Sequence, residues 1–310
     1  MQLFNKNQSI HLEISSNRTY LMGIAMLIVL VYHLFCWVYN PIGRFNIGFV
    51  GVDIFLFLSG FGLRESFERN SIRKFYYNRI VRILPIYIVA VTLTYLIFTT
   101  RWSFTSFINN LLTIGIYTEG GINRYDWYLE SLFTLYFTFP LFFYTRKTKY
   151  YGLAIFFIAI LLLLHYIKIE WWHQCLISRI PIFFYGIIFK DISSYLFKLI
   201  CIIGGVFYIP IASYSSMFLA STTLVPLIIM LSLKTKKYLG EGINRFINYL
   251  GEYSLEIYIA NVAVSWTLKT HTYSIGMKLL LSIIIQIITT LILIKLNRFI
   301  QSYIKKIQNL

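Results

Sequence analysis

Acidic side chains are scarce: 12 Asp and Glu stand against 28 Lys and Arg in 310 residues, a net charge of +16. Charge of either sign is thin, at 13% of residues, about half the usual share of a soluble domain. With 58% hydrophobic residues and a mean hydropathy of +0.68, that thinness excludes an ordinary soluble globule. Cysteine is limited to Cys36, Cys175 and Cys201, with no CxxC pair, so neither a disulfide framework nor a metal site is expected. The period-two alternation of barrel strands is missing too. The first 18 residues are polar and lack a charged, apolar, small-residue series, so no cleaved signal peptide is expected.

Hydrophobic runs recur from end to end instead. Ten read as spans: 20–38, 46–63, 82–100, 126–145, 150–167, 177–190, 196–213, 217–233, 249–268 and 275–297. About 20 apolar residues at ~1.5 Å rise cover a hydrocarbon core of ~30 Å. The predicted fold is all-α, a polytopic membrane protein with about ten transmembrane helices. It has a 1–19 N-terminal segment, one membrane domain over 20–298 and a 299–310 tail. Assigned to alternate connections, 21 basic residues fall on one side. Seven fall on the other: Arg44, Arg101, Arg124, Lys168, Arg179, Lys269 and Lys278. The positive-inside rule then places both termini in the cytoplasm, which needs an even number of spans. It also accounts for the basic balance without a nucleic-acid partner.

Topology converts sequence position into depth. His33 falls ~8 Å below the outer end of the first span, Asp53 ~10 Å below the outer end of the second, and Glu130 ~6 Å into the fourth. Arg179 begins the sixth span on the same side. An ionisable group at such depth faces protein or a water-filled cavity, and is a functional candidate by default. Asp53 beside His33 would fix the imidazole's tautomer, as a general base requires; the plainer alternative is a structural His–Asp pair joining two helices. The outer connection 101–125 is the longest, is polar, holds Gly115, Gly120 and Gly121, and is placed to cover or feed a site. Trp102, Trp127, Trp171 and Trp172 lie near outer ends, where interfacial anchoring is the default role.

A second cluster lies at the inner face. Residues 64–82 carry Arg64, Arg69, Arg73, Lys74, Arg79 and Arg82, with Tyr76 and Tyr77 among them. Such a stretch meets the positive-inside rule or anionic headgroups without further purpose. Arg79 and Arg82 are also spaced i,i+3, which sets two guanidiniums on one helix face. Guanidiniums grip phosphates and aromatics stack on purines, so a phosphorylated, nucleotide-like donor is the functional reading.

Six segments taken together resemble the acyltransferase-3 family of integral-membrane O-acyltransferases, which includes O-antigen and Nod-factor acetylases. They are GIAMLIVLVYH (23–33), GFVGVDIFLFLSGF (48–61), FYYNRIVRILPIY (75–87), WYLESLFTLY (127–136), RIPIFFYG (179–186) and LGEYSLEIYIAN (250–261). The resemblance implies a ten-helix enzyme that moves an acyl group from cytosolic acyl-coenzyme A, typically acetyl-coenzyme A, to a hydroxyl of a cell-surface or lipid-linked glycan. It implies that His33 is catalytic, with Asp53 and Ser59 in a GVD…SG motif. Arg79 and Arg82, with Arg73 or Lys74, would dock the coenzyme's phosphates. Trp127 and Glu130 would bind the sugar, with Arg179 and Asn261 lining the acceptor side. Two positions depart from the family pattern. Met22 stands where a base is usual, with Arg18 one turn earlier on roughly the same face. Asn261 stands where a histidine is common, and an amide cannot shuttle a proton. His33 would act as general base or as acyl carrier. The resemblance and the Lys/Ile/Asn-rich chain imply a bacterial inner (cytoplasmic) membrane. Two other classes fit the same residues: a glycan or lipid transporter or flippase, and a non-catalytic relative that partners envelope-glycan assembly enzymes.

Overall fold

The computed structural model describes residues 10–39, 48–98, 103–118, 127–145, 171–193, a few positions between 195 and 206, 217–269 and 274–308. The expected span 150–167 and most of 196–213 lie outside the described residues. Among the described residues all regular structure is helical. The helices are α1 (Ile10–Ser16), α2 (Arg18–Tyr39), α3 (Gly48–Arg69), α4 (Ile72–Phe98), α5 (Phe104–Leu111), α6 (Gly115–Thr118), α7 (Trp127–Thr145), α8 (Trp171–Ile188), α9 (Met217–Lys236), α10 (Glu241–Glu252), α11 (Ser254–Lys269) and α12 (Ile275–Gln308).

Among the described residues α4 and α12 are long and apolar enough to cross a membrane, and α1 with α2 makes a third if that pair, bent by 69°, is one span. The other described helices at expected span positions are shorter or dilute their aliphatic residues. In α7, for example, Trp, Tyr, Ser, Thr and Pro140 replace aliphatics.

Helix ends differ from hydropathy boundaries in the basic stretch. The basic stretch 64–81 is helical almost throughout: α3 runs on to Arg69, and α4 begins at Ile72. Arg and Lys tolerate a helix well, so a run of charge does not end one. The chain breaks only where Asn70 bonds back to the Ser66 carbonyl (2.7 Å) and Ser71 accepts from the Lys74 amide (3.4 Å). Likewise the expected ninth span divides into amphipathic α10 and apolar α11.

The chain folds as two compact units, residues 1–32, 42–65 and 132–252 in the first, and 33–41, 66–131 and 253–310 in the second. In the first unit α3 and α8 run parallel at backbone contact. A Cβ on Gly60 would lie 2.2 Å from the Phe183 carbonyl oxygen, and one on Gly186 would lie 2.2 Å from that of Phe57. Only two glycines facing each other allow that approach. It aligns ion pairs along the helices: Asp53 with Arg179 at one end, and Arg64 with Asp191 (2.7 Å) and Glu65 with Lys190 (2.6 Å) at the other.

In the second unit α12 dominates. Its 34 residues extend ~51 Å at ~1.5 Å each, beyond the ~30 Å of a hydrocarbon core. Its last turns lie along the start of α4, where Gln301 donates to the Val81 carbonyl (2.8 Å) and Gln308 to the Tyr77 hydroxyl. Asn297 donates to Glu256 (2.5 Å) and Arg298 to the Tyr253 hydroxyl, tying α12 to the start of α11.

His11 of α1 shows how the first unit handles a polar ring. It packs edge-on against Phe189 (4.8 Å between centroids), and neither ring nitrogen has a hydrogen-bond partner among the described residues. Burial first, then Lys190 and Arg64, hold its proton affinity below the ordinary value of 6.5, against an opposing pull from Asp191. The folded ring thus takes its proton at lower pH than the unfolded one. Its contribution to stability is complete above about pH 6.5 and is lost as pH falls below that value. His11→Phe keeps the ring contact and removes the titration. In detergent, the drop in Tm between pH 8 and pH 5 should therefore be smaller for His11→Phe than for the wild type; an equal drop would exclude this role for His11.

Candidate active site

Aliphatic helices leave few places for polar side chains, and the structure gathers them into small paired sets. In the first unit Asp53 and Arg179 are both fully buried, with Nε 3.2 Å from Oδ1. That approach is a charge contact more than an aligned hydrogen bond. The guanidinium also donates from Nη1 to the Ser178 hydroxyl (2.6 Å) and lies over the Phe49 ring at 4.7 Å. Water is excluded here, so each charge relies on the other and on these neighbours. Ser59, one and a half turns beyond Asp53, is buried and accepts from the Tyr136 hydroxyl (3.4 Å). Arg18 lays its guanidinium against Gly62 of α3, where a Cβ would stand 3.2 Å from Cζ.

In the second unit His33 is joined to Asn261: the imidazole Nδ1 pairs with the amide Oδ1. Asn261 is buried on α11, and its Nδ2 donates to Gln286 Oε1 of α12 (3.3 Å). Gln286 in turn donates from Nε2 to the Ile257 carbonyl (3.1 Å) and to Thr290 Oγ1 (3.2 Å). The histidine therefore heads a chain of amides that ends on the backbone of α11.

Glu130 is fully buried in α7. A Cβ on Gly115 would lie 2.7 Å from its Oε1 and 2.8 Å from Asn110 Oδ1, so α5 and α6 of the 101–125 connection fold directly onto this carboxylate. Thr113 turns the chain between them at φ 61. Asn110 is itself held, donating to the Ser106 carbonyl (2.7 Å) and accepting at its own carbonyl from the Tyr87 hydroxyl (2.9 Å). Trp127 is 6% exposed, edge-on to Tyr128, which meets Tyr258 at 4.9 Å. The expected anchoring role is corrected for this tryptophan, because an indole enclosed by protein does not sit in a headgroup layer.

The cations at the start of α4 differ in character. Arg79 stacks over Phe75 at 5.0 Å, whereas Arg73, Lys74 and Arg82 are exposed along the first turns of α4. Lys305 shares a face of α12 with Gln301 and Gln308, the two residues that contact α4, and so adds a cation to the same end.

The sequence singles out His33, Asp53, Glu130, Arg179 and Asn261 as candidates; Gln286, Ser178 and Asn110, which hold them here, do not stand out in it in the same way. Gln286 had a signal, a lone amide within LLLSIIIQIITTLILI (279–294). Ser178 and Asn110 had none, since hydroxyls and amides in loops and helix starts are ordinary.

A helical membrane protein with paired polar groups inside its apolar helices is the class that fold and site define. The family model of the acyltransferase domain, acyltransferase-3, matches residues 19–296, and the chain belongs to that family. It is also similar to a protein of Acidianus two-tailed virus provisionally named acetyltransferase ORF330, at 38% identity over 78 residues. That stretch is 25% of this chain and 24% of the viral protein, so the chain spans about a quarter of that relative's length. No solved structure matches the chain.

The ion pair generates a stability prediction. Removing one member leaves a buried charge unpaired and costs about 3–5 kcal/mol, whereas removing both charges costs less. Arg179→Leu and Asp53→Leu should each lower Tm sharply, and the Asp53→Leu/Arg179→Leu double variant should recover most of the loss. Additive losses in a thermal-unfolding series would show that the two charges do not stabilise each other.

Proposed function

We propose that the protein is a membrane O-acyltransferase, most simply an O-acetyltransferase. It transfers an acyl group from cytosolic acyl-coenzyme A to a hydroxyl of a cell-surface or lipid-linked glycan. The observation that carries this reading is the imidazole of His33, held at one nitrogen by the Asn261 amide, in a chain of the acyltransferase family. Its proposed setting is a ten-span bundle in a bacterial inner membrane, with both termini in the cytoplasm.

The donor's phosphates dock on Arg79 and Arg82, helped by Arg73 and Lys74, and Arg18 compensates for the missing charge at Met22. Exposed cations beside Tyr76 and Tyr77 support this, because phosphate needs charge and adenine a ring to lie on. The pantetheine arm reaches between helices toward the outer half of the membrane. There His33 takes the proton of the acceptor hydroxyl, the oxygen attacks the thioester carbonyl, the C–O bond forms and the C–S bond breaks. The proton then passes to the departing thiolate, which restores the neutral imidazole.

Glu130 accepts hydrogen bonds from sugar hydroxyls, with Trp127 beside it. The close packing of α6 on Glu130 supports placing the acceptor at the outer connection. Asn261 holds the His33 ring on that acceptor side; Asp53, paired with Arg179, and Ser59, held by Tyr136, are the polar groups of the first unit carried over from the family pattern.

The test is transfer of labelled acetyl from acetyl-coenzyme A in membranes with and without this chain, in the presence of the host's glycans. Label should enter a glycan fraction only when the chain is present. Arg79→Gln/Arg82→Gln should raise KM for acetyl-coenzyme A about tenfold or more while kcat changes less, since two charge-assisted phosphate contacts are lost. An unchanged KM would remove the docking site, and glycan movement across the membrane without coenzyme A would favour a transporter.

A further inference from the structure

The hydrogen bonds around Gln286 have a direction that can be read from one fixed point. A backbone carbonyl only accepts, so the Gln286 amide end 3.1 Å from the Ile257 oxygen has to be Nε2. The same nitrogen reaches Thr290 Oγ1 at 3.2 Å, which uses its second hydrogen. Oε1 is thereby left toward Asn261, and an amide oxygen requires a donor, so Asn261 presents Nδ2 at 3.3 Å. Asn261 must then turn Oδ1 to His33 Nδ1, and this oxygen also only accepts. The proton in that last bond belongs to the imidazole. A neutral imidazole with its hydrogen on Nδ1 has its lone pair on Nε2.

We infer that Gln286 is a positioning residue: through Asn261 it fixes the proton of His33 on Nδ1 and makes Nε2 the basic nitrogen. The assignment rests on the reading of His33 as the base of an acyl transfer, and it names which atom takes the hydroxyl proton. The amide chain does the orienting that a carboxylate does in other hydrolytic and transfer sites, without placing a second charge beside the ring. An amide does not titrate, so the orientation holds at every pH at which the protein is folded. If Gln286 were apolar, the Asn261 amide would lose the acceptor that distinguishes its two ends. It could then rotate and offer Nδ2 to His33, which favours the opposite tautomer with its lone pair on Nδ1.

Two variants separate orientation from packing. Gln286→Leu is close in volume and suits the aliphatic surroundings of α12, so a merely space-filling role predicts little change. Gln286→Glu, in its protonated form in this half-buried, aliphatic setting, keeps both functions: its carbonyl accepts from Asn261 and its hydroxyl donates to Ile257. The direct readout is the 15N spectrum of histidine-labelled protein in lipid bilayers, with His33 identified by the signal lost in His33→Ala. Wild type and Gln286→Glu should show His33 with its hydrogen on Nδ1, and Gln286→Leu should add the Nε2–H form. In the labelled-acetyl assay Gln286→Leu should lower kcat on the order of tenfold, with KM for acetyl-coenzyme A unchanged and activity regained in Gln286→Glu.

A wild-type His33 with its hydrogen on Nε2, or a Gln286→Leu spectrum identical to wild type, overturns the assignment. The spectrum decides it without any turnover. Absence of His33-dependent transfer in the wild type is instead a failure of the acyltransferase reading.

Discussion

The Asp53–Arg179 contact states the constraint on which the rest of the structure depends: inside apolar helices a polar group has no water to turn to. Both residues are fully buried, and the guanidinium uses the carboxylate, the Ser178 hydroxyl and the Phe49 ring at once. A pair like this is not a cheap source of stability, because desolvation offsets most of the attraction. Its value is specificity. Once one charge is buried, only the arrangement that supplies the other is tolerable, and the Gly60–Gly186 approach of α3 and α8 is the arrangement that does so. The half-buried pairs farther along, Arg64–Asp191 and Glu65–Lys190, keep part of their hydration and constrain less.

The second unit meets the same constraint with amides. His33, Asn261, Gln286 and the Ile257 carbonyl form a series in which each donor has an acceptor and the last acceptor is backbone. Amides cost less to bury than charges and still impose direction, because their two ends differ. One unit thus holds a charged pair and the other a neutral chain.

Much of this was legible in the sequence, and what was not has a common cause. Hydropathy gives position along a helix axis, so polar residues inside apolar runs stood out from the chain alone, and Asp53, Glu130 and Arg179 are fully buried. It does not give rotation about the axis, and rotation decides partners. Asp53 meets Arg179, and His33 meets Asn261; neither pairing follows from depth. The 64–81 stretch shows a second limit, since its charges read as a connection between spans while α3 and α4 run through it but for the break at Asn70 and Ser71. The 101–125 connection shows a third. Polar and glycine-bearing, it carries no amphipathic repeat long enough to reveal that α5 and α6 fold onto Glu130. Gln286 was visible as an anomaly in an aliphatic run, but its meaning required the neighbour on α11.

The central claim is that His33 performs chemistry and does not merely brace helices. Purified protein in lipid nanodiscs allows the two roles to be separated in one preparation, by measuring Tm and acetyl-coenzyme A turnover with acceptor glycan for wild type and His33→Ala. The account predicts that turnover disappears while Tm stays within a few degrees, since the variant leaves Asn261 paired with Gln286. Retained turnover in His33→Ala would contradict it.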